Sequence, residues 1–86
     1  MANIADINIA SGAAAQTITS GLTEGGLYIL LHDGPIQVEM LKASGEWYPV
    51  YRSQMGDQKE FRLSGTQLRI SNPAARTLKG KVSSAE

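Results

Sequence analysis

In Ile36-Gln37-Val38-Glu39-Met40 apolar side chains occupy every second position, the period of a strand with one face buried and the other in water. The same alternation fits residues 47–52, 60–63 and 66–71, with glycine or proline in the gaps between them. Residues 36–42 and 46–52 read as a hairpin closed by Ala43-Ser44-Gly45, and residues 59–63 and 66–71 flank Ser64-Gly65 at the spacing of a second tight hairpin. Pro49 has no amide to give to a ladder, so its strand is expected at a sheet edge or with a bulge at that point. Leu27-Tyr28-Ile29-Leu30-Leu31 is apolar without interruption and reads as a central strand covered on both faces. His32-Asp33-Gly34-Pro35 has turn chemistry, since Asp tolerates turn geometry, Gly supplies positive φ and Pro blocks continuation.

The flanking segments are less regular. Ala5, Ile7 and Ile9 alternate with Asp6 and Asn8 as in a short strand, which Ser11-Gly12 would break. Ala13-Ala14-Ala15 favours helix, but Thr17-Ile18-Thr19 favours a strand. Residues 1–25 are therefore expected to form either a loose strand–turn–strand or an extended arm, with Gly25-Gly26 as a turn or hinge. Residues 26–82 form the β core, in which 53–58 is a loop. Asn72-Pro73 ends the second hairpin unit, 74–76 has the makings of one helical turn, and 78–82 makes a last strand. Residues 83–86 read as a frayed tail. The expected fold is all-β: a small antiparallel β-sandwich or barrel of about seven or eight short strands.

Composition changes this picture in one respect. The chain has 86 residues, no Cys, one Trp, three Tyr and one Phe. Many of its apolar positions are alanines near the ends, so few side chains bury large areas. A core of that size, without a disulfide, favours stability gained by assembly with copies of itself or with a larger body. Acidic and basic residues balance at eight each, which gives no general attraction to nucleic acid or an anionic membrane. Their distribution is uneven: residues 1–51 hold five acidic residues against Lys42, and residues 52–86 hold seven basic residues against three acidic ones. Interleaved strands would mix these charges; a dipolar subunit would use them to attract neighbours. The longest strongly apolar run, residues 27–31, is far short of a membrane span, and no Lys or Arg precedes the first apolar residues as it would in a secretory leader. A soluble chain is the expectation.

Catalytic chemistry finds little purchase. The single His32 has no Cys or second His to complete a metal site and is expected at a solvent-exposed turn. The carboxylate pairs Asp33 with Glu39 and Asp57 with Glu60 fall on turns and strand surfaces, where a solvated role is the ordinary one. The glycines do not precede Lys-Ser or Lys-Thr in phosphate-loop spacing. No enzyme and no cofactor is expected. The best ligand-binding candidate is the aromatic group at Trp47 and Tyr48 with Arg52. In a regular strand Trp47 and Tyr51 share one face while Tyr48 and Arg52 share the other, and such a platform suits a sugar or a single-stranded nucleic acid. The competing reading buries Trp47 and Tyr51 in the core. Arg62 and Arg69, across the second hairpin, would make a small basic face.

The segments Val38-Glu39-Met40, Gly45-Glu46-Trp47-Tyr48-Pro49-Val50, Leu63-Ser64-Gly65 and Leu68-Arg69-Ile70-Ser71 resemble those of short virion proteins of tailed bacteriophages. In that group a G-x-W-x-P-V strand is followed by a G-x-x-x-R-I strand in a small β-sandwich. The resemblance covers about half the chain. It implies a non-enzymatic capsid decoration (cement) protein, or a head–tail or tail accessory protein, made in the host cytoplasm and carried in the virion. Its partners would be the major capsid protein or other virion proteins, met in many copies or as a homo-oligomer; no membrane is expected, and the neutral charge disfavours nucleic acid. The expected contacts are Ile4, Ile7 and Ile9 of the arm and Arg62, Arg69 and Arg76 of the basic half. The arm would order on a neighbour by adding a strand to its sheet.

Overall fold

The structure is a computed structural model that describes residues 3–85. Eight strands follow one another along the chain: β1 Asn3–Ile9, β2 Gln16–Ile18, β3 Leu27–His32, β4 Ile36–Leu41, β5 Trp47–Ser53, β6 Asp57–Arg62, β7 Gln67–Ser71 and β8 Leu78–Ser84. They form two four-stranded antiparallel sheets, ordered β1-β8-β3-β6 and β2-β7-β4-β5. This is the small all-β sandwich that the alternation predicts. Among the described residues there is no helix, and so none long and apolar enough to cross a membrane.

The inner faces come directly from the period of two. Ile36, Val38 and Met40 of β4 are buried while Gln37, Glu39 and Leu41 are not, and Leu68 and Ile70 of β7 repeat the pattern. Opposite them lie Leu30 of β3 and Leu78 and Val82 of β8, each at most 2% exposed. The β4–β5 hairpin closes as expected: the Gly45 amide donates to the Lys42 carbonyl at 2.9 Å, and Gly45 takes a φ of +87°, which costs glycine nothing sterically. Strand β5 is an edge strand and is also bulged. Glu39 pairs with Pro49 and Val38 with Tyr51, so Val50 has no counterpart on β4.

The second expected hairpin does not form. β6 belongs to one sheet and β7 to the other, and residues 63–66 carry the chain across the sandwich. Leu63 is 1% exposed, a core residue in the crossing itself. A Cβ on Gly65 would fall 2.1 Å from the Leu41 carbonyl oxygen, so this glycine permits a close backbone approach and does not serve as a hairpin turn.

The ends are also more ordered than expected. Strand β1 pairs with β8 from Asn3–Ser83 to Ile9–Leu78, and β2 pairs with β7, so residues 3–18 form part of both sheets. Ile7 and Ile9 are 2% and 3% exposed; their alternation reports burial in the chain's own core, which leaves them no surface for a partner. At the other end Ser83 and Ser84 lie in β8, and the Ala85 amide donates to the Leu27 carbonyl at 2.9 Å, in place of a frayed tail. Met1, Ala2 and Glu86, included in the arm and tail expectations, lie outside the described residues.

Two further expectations change. β3 is central in its sheet but only one of its faces is covered: Tyr28, Leu30 and His32 are buried, whereas Leu31 is exposed. Residues 74–76 form bends, without a helical turn; there Asn72 accepts from the Ala74 amide and donates to the carbonyls of Ile9 and Arg76. The charge halves interleave. Arg69 pairs with Glu39 at 2.9 Å and Arg76 lies 3.6 Å from Asp33, each joining the basic half to the acidic half within one chain.

On β8, Gly80 makes the same kind of close approach as Gly65, since an added Cβ would lie 2.0 Å from the Leu31 carbonyl oxygen. Gly80→Ala is expected to lower stability by about 3 kcal/mol or more, read as the shift in a chemical denaturation midpoint. Gly12→Ala, in open space but at a φ of +76°, should cost only about 1 kcal/mol.

Candidate functional site at the open edge of the sandwich

The two lateral sides of the sandwich are built differently. On one side β1 and β2 are bridged by Gln16, whose side chain accepts from the Asn8 amide at 3.3 Å and donates to the Asp6 carbonyl at 2.8 Å. On the other side the edge strands β5 and β6 flank an opening into the core. This cleft holds about 180 Å³; Leu30, Val38 and Met40 are among the core side chains that line it, with Tyr51 and Phe61 on its two edge strands. Val50, Lys59, Arg62 and Ser64 complete it.

Hydrogen bonds and packing hold its lining in place. Tyr51 donates its hydroxyl to His32 Nε2 at 3.0 Å, while His32 Nδ1 lies 2.8 Å from the Gly34 carbonyl. A carbonyl only accepts, so in the neutral imidazole Nδ1 carries the proton and Nε2 receives the Tyr51 hydroxyl. The two rings meet edge to face at 5.5 Å between centroids. His32 is 4% exposed, which replaces the exposed turn histidine expected from sequence: it is the last inward-facing residue of β3, and its ring fastens Tyr51 across the gap between the sheets. Phe61 packs against Tyr28 at 6.1 Å, and the Tyr28 hydroxyl accepts from the Thr23 amide at 2.7 Å. Ser64 points both its amide and its hydroxyl at the Met40 sulfur, at 3.2 and 3.1 Å. Among the described residues no buried side-chain nitrogen or oxygen is left without a partner.

Lys59 pairs with inward-facing Leu30 on the neighbouring strand, so it is a cation on the inner side of an edge strand. Its Nζ lies 5.9 Å from the centre of the Tyr51 ring, and among the described residues no carboxylate lies within ion-pair distance of it.

The aromatic platform does not assemble. The bulge at Val50 reverses the phase of β5. Tyr51 pairs with buried Val38 and packs on the core, while Trp47 pairs with Leu41, which faces outward. Trp47 and Tyr51 therefore lie on opposite faces, and Trp47 is not a core residue. Its ring instead carries the Arg69 guanidinium at 4.3 Å, which Glu39 fixes in turn through Arg69 Nε at 2.9 Å. Arg52 pairs with outward Gln37, so it shares the sheet face of Trp47, whereas Tyr48 pairs with inward Met40 and sits under the Lys42 ammonium at 4.3 Å. Trp47, Tyr48 and Arg52 do not make one surface.

Nor do the expected basic contacts make a single patch. Arg62 and Arg69 stand in different sheets, because the hairpin that would have joined them is absent. Arg62 donates to the Gly25 carbonyl, and Arg76 donates to the Asp33 carbonyl at 2.8 Å, fastening the β3–β4 crossing. Ile4 is partly buried and packs against the core. Three of the four carboxylates considered for acid–base work are tied as well: Asp33 accepts from the Lys79 amide, Glu39 from Arg69 and Asp57 from the Gln58 amide, while Glu60 is exposed on β6. Among the described residues no group of three or more His, Asp or Glu side chains is placed to hold a metal ion.

Sequence reading passed over Lys59, Phe61 and Val50. One signal for them is present: β6 carries charge on both faces, with Asp57 and Lys59 alternating with Glu60 and Arg62, which marks a strand with little to bury and hence an edge. Against known proteins, the chain matches no family model, no curated protein and no solved structure.

If His32 fastens the Tyr51 wall, His32→Leu should cost about 2 kcal/mol, because it strands the Tyr51 hydroxyl and the Gly34 carbonyl. Tyr51→Phe should cost about 1 kcal/mol, and the double variant less than the sum, as read from urea denaturation. Glu39→Gln, which loosens a pair about one-third exposed on each side, should cost no more than about 1 kcal/mol.

Proposed function

We propose that this chain is a non-enzymatic structural protein that attaches to a larger assembly through its β5–β6 edge. In its specific form we take it to be a capsid decoration protein of a tailed phage, carried in the virion and bound to the major capsid protein, with a head–tail or tail accessory protein as the nearest variant.

One observation carries the attachment. The large apolar side chains exposed on the described surface are Leu31, Tyr48, Val50 and Met55, and three of these lie on β5 or the loop that follows it. Exposed apolar groups gathered on one rim mark an interaction surface. The edge also favours side-chain contact over strand addition, since Pro49 and the bulge interrupt the backbone that another strand would need. The phage setting draws its support from the G-x-W-x-P-V and G-x-x-x-R-I segments. These fall on β5 and on the crossing into β7, and the first of them includes Tyr48 and Val50. Attachment of this kind stabilises an assembly by mass action and asks for no chemistry from the attached protein.

The test is co-sedimentation of the purified chain with heads assembled from the capsid protein of the genome that encodes it. The chain should travel with the heads saturably. Val50→Asp should weaken that association at least about tenfold while changing stability by no more than about 0.5 kcal/mol. A wild-type chain that stays at the top of the gradient as a monomer would contradict the proposal.

A further inference from the structure

The geometry points to the β5–β6 cleft as a binding site for a small apolar carboxylate: a single ring or short hydrocarbon chain that ends in an anionic group held by Lys59. Val50 belongs both to this cleft and to the proposed attachment edge, so the ligand is sought on the free chain.

Size comes first. An apolar cavity of about 150 Å³ accommodates benzene, so 180 Å³ suits one phenyl ring or a short chain and excludes a sterol or a long lipid. Polarity comes next. The deep lining of Leu30, Val38 and Met40 offers an incoming group no hydrogen-bond partner beyond the Met40 sulfur, already engaged by Ser64. Charge sits only at the mouth, where the ionisable lining groups besides Tyr51 are Lys59 and Arg62, with no Asp or Glu. Arg62 pairs with Leu27, out of phase with inward Tyr28 and Leu30, and reaches back to the Gly25 carbonyl, whereas Lys59 pairs with inward Leu30 and is the cation placed to meet an anion in the cleft.

Persistence of the opening matters as much as its size, because an apolar gap between two sheets gains by closing. Here the wall residue Tyr51 is fastened to buried His32, Phe61 packs at a tilt against a hydrogen-bonded Tyr28, and Met40 is held by Ser64. A rigid, largely pre-formed pocket with few placed polar groups is the usual form of a small-molecule site. Lys59 also has a second explanation, since inward-pointing lysines on edge strands discourage edge-to-edge pairing. That role does not require Lys59 to recognise anything, so ligand discrimination separates the two.

The probe is 3-phenylpropanoate, titrated into the intact chain and followed through the methyl NMR signals of Leu30, Val38, Met40 and Val50. Its neutral counterpart 3-phenylpropan-1-ol serves as the comparison. Saturable shifts at these methyls with a dissociation constant of about 1 mM are expected for the acid, and binding at least about tenfold weaker for the alcohol. Lys59→Gln, at an exposed position, should leave the denaturation midpoint unchanged and raise the constant for the acid about tenfold. The site is overturned if these methyls show no saturable response up to about 10 mM acid, if acid and alcohol bind alike, or if Lys59→Gln binds the acid as well as the wild type does. Head co-sedimentation is read separately from this titration, so failure of one leaves the other standing.

Discussion

Nearly every feature of this molecule depends on burying one face of the β3–β8 pair against one face of the β4–β7 pair. Leu30 and Val82 from the first meet Ile36, Val38, Leu68 and Ile70 from the second in one continuous core. Each of these side chains is worth roughly 1.5–3 kcal/mol when withdrawn from water, and no other source of comparable size is present in a chain without cysteine. To build both faces from so short a chain, every connection except β4–β5 passes from one sheet to the other. Strand partners are therefore distant in sequence, and the first strand is held by the last. Folding of such a non-local topology is slow relative to a helical domain of the same length.

The same interleaving determines where the surface is complete and where it is open. Four edge strands remain, two on each side. Gln16 bridges β1 and β2 on one side, while β5 and β6 leave the cleft on the other. That open edge is protected against strand addition by a proline, a bulge and an inward lysine, so what it presents to solvent is mainly side chains: Tyr48, Val50, Met55 and the lining of the cleft. Trp47, chemically the most conspicuous residue in the chain, is occupied on the opposite face with Arg69 and Glu39. The proposed attachment accordingly lies at the rim and away from the indole.

Much of the fold was legible from local pattern. The alternation of Ile36, Val38 and Met40 identified the inner face, Ser44-Gly45 marked a real turn, and Pro49 announced an edge or a bulge, of which β5 has both. What stayed hidden depends on distance or phase. Ser64-Gly65 has the composition of a hairpin turn, and nothing nearby reveals that Leu63 plunges into the core and that Gly65 must admit the Leu41 carbonyl. The bulge shifts β5 by one residue and sends Trp47 and Tyr51 to opposite faces, a consequence that follows only once the register is known. Ile7 and Ile9 alternate correctly, yet their partner strand lies at the far end of the chain, so an arm and an integral strand look alike. His32 reads as part of a turn because its burial comes from Tyr51, nineteen residues away. The cleft has no sequence motif at all; its signal is the charge on both faces of β6.

Strand β1 is paired with β8 within the isolated chain, so the proposed attachment falls to the β5–β6 edge and not to a mobile arm. Hydrogen–deuterium exchange on the free monomer tests this most directly. The β1 amides directed at β8 should exchange with protection close to that of the β3–β8 ladder, while amides on the outer edge of β6 exchange fast. Exchange of residues 4–9 at the rate of an unstructured chain, with β8 still protected, would mean that β1 is a mobile arm in the free chain and would return the arm to the place where a partner binds.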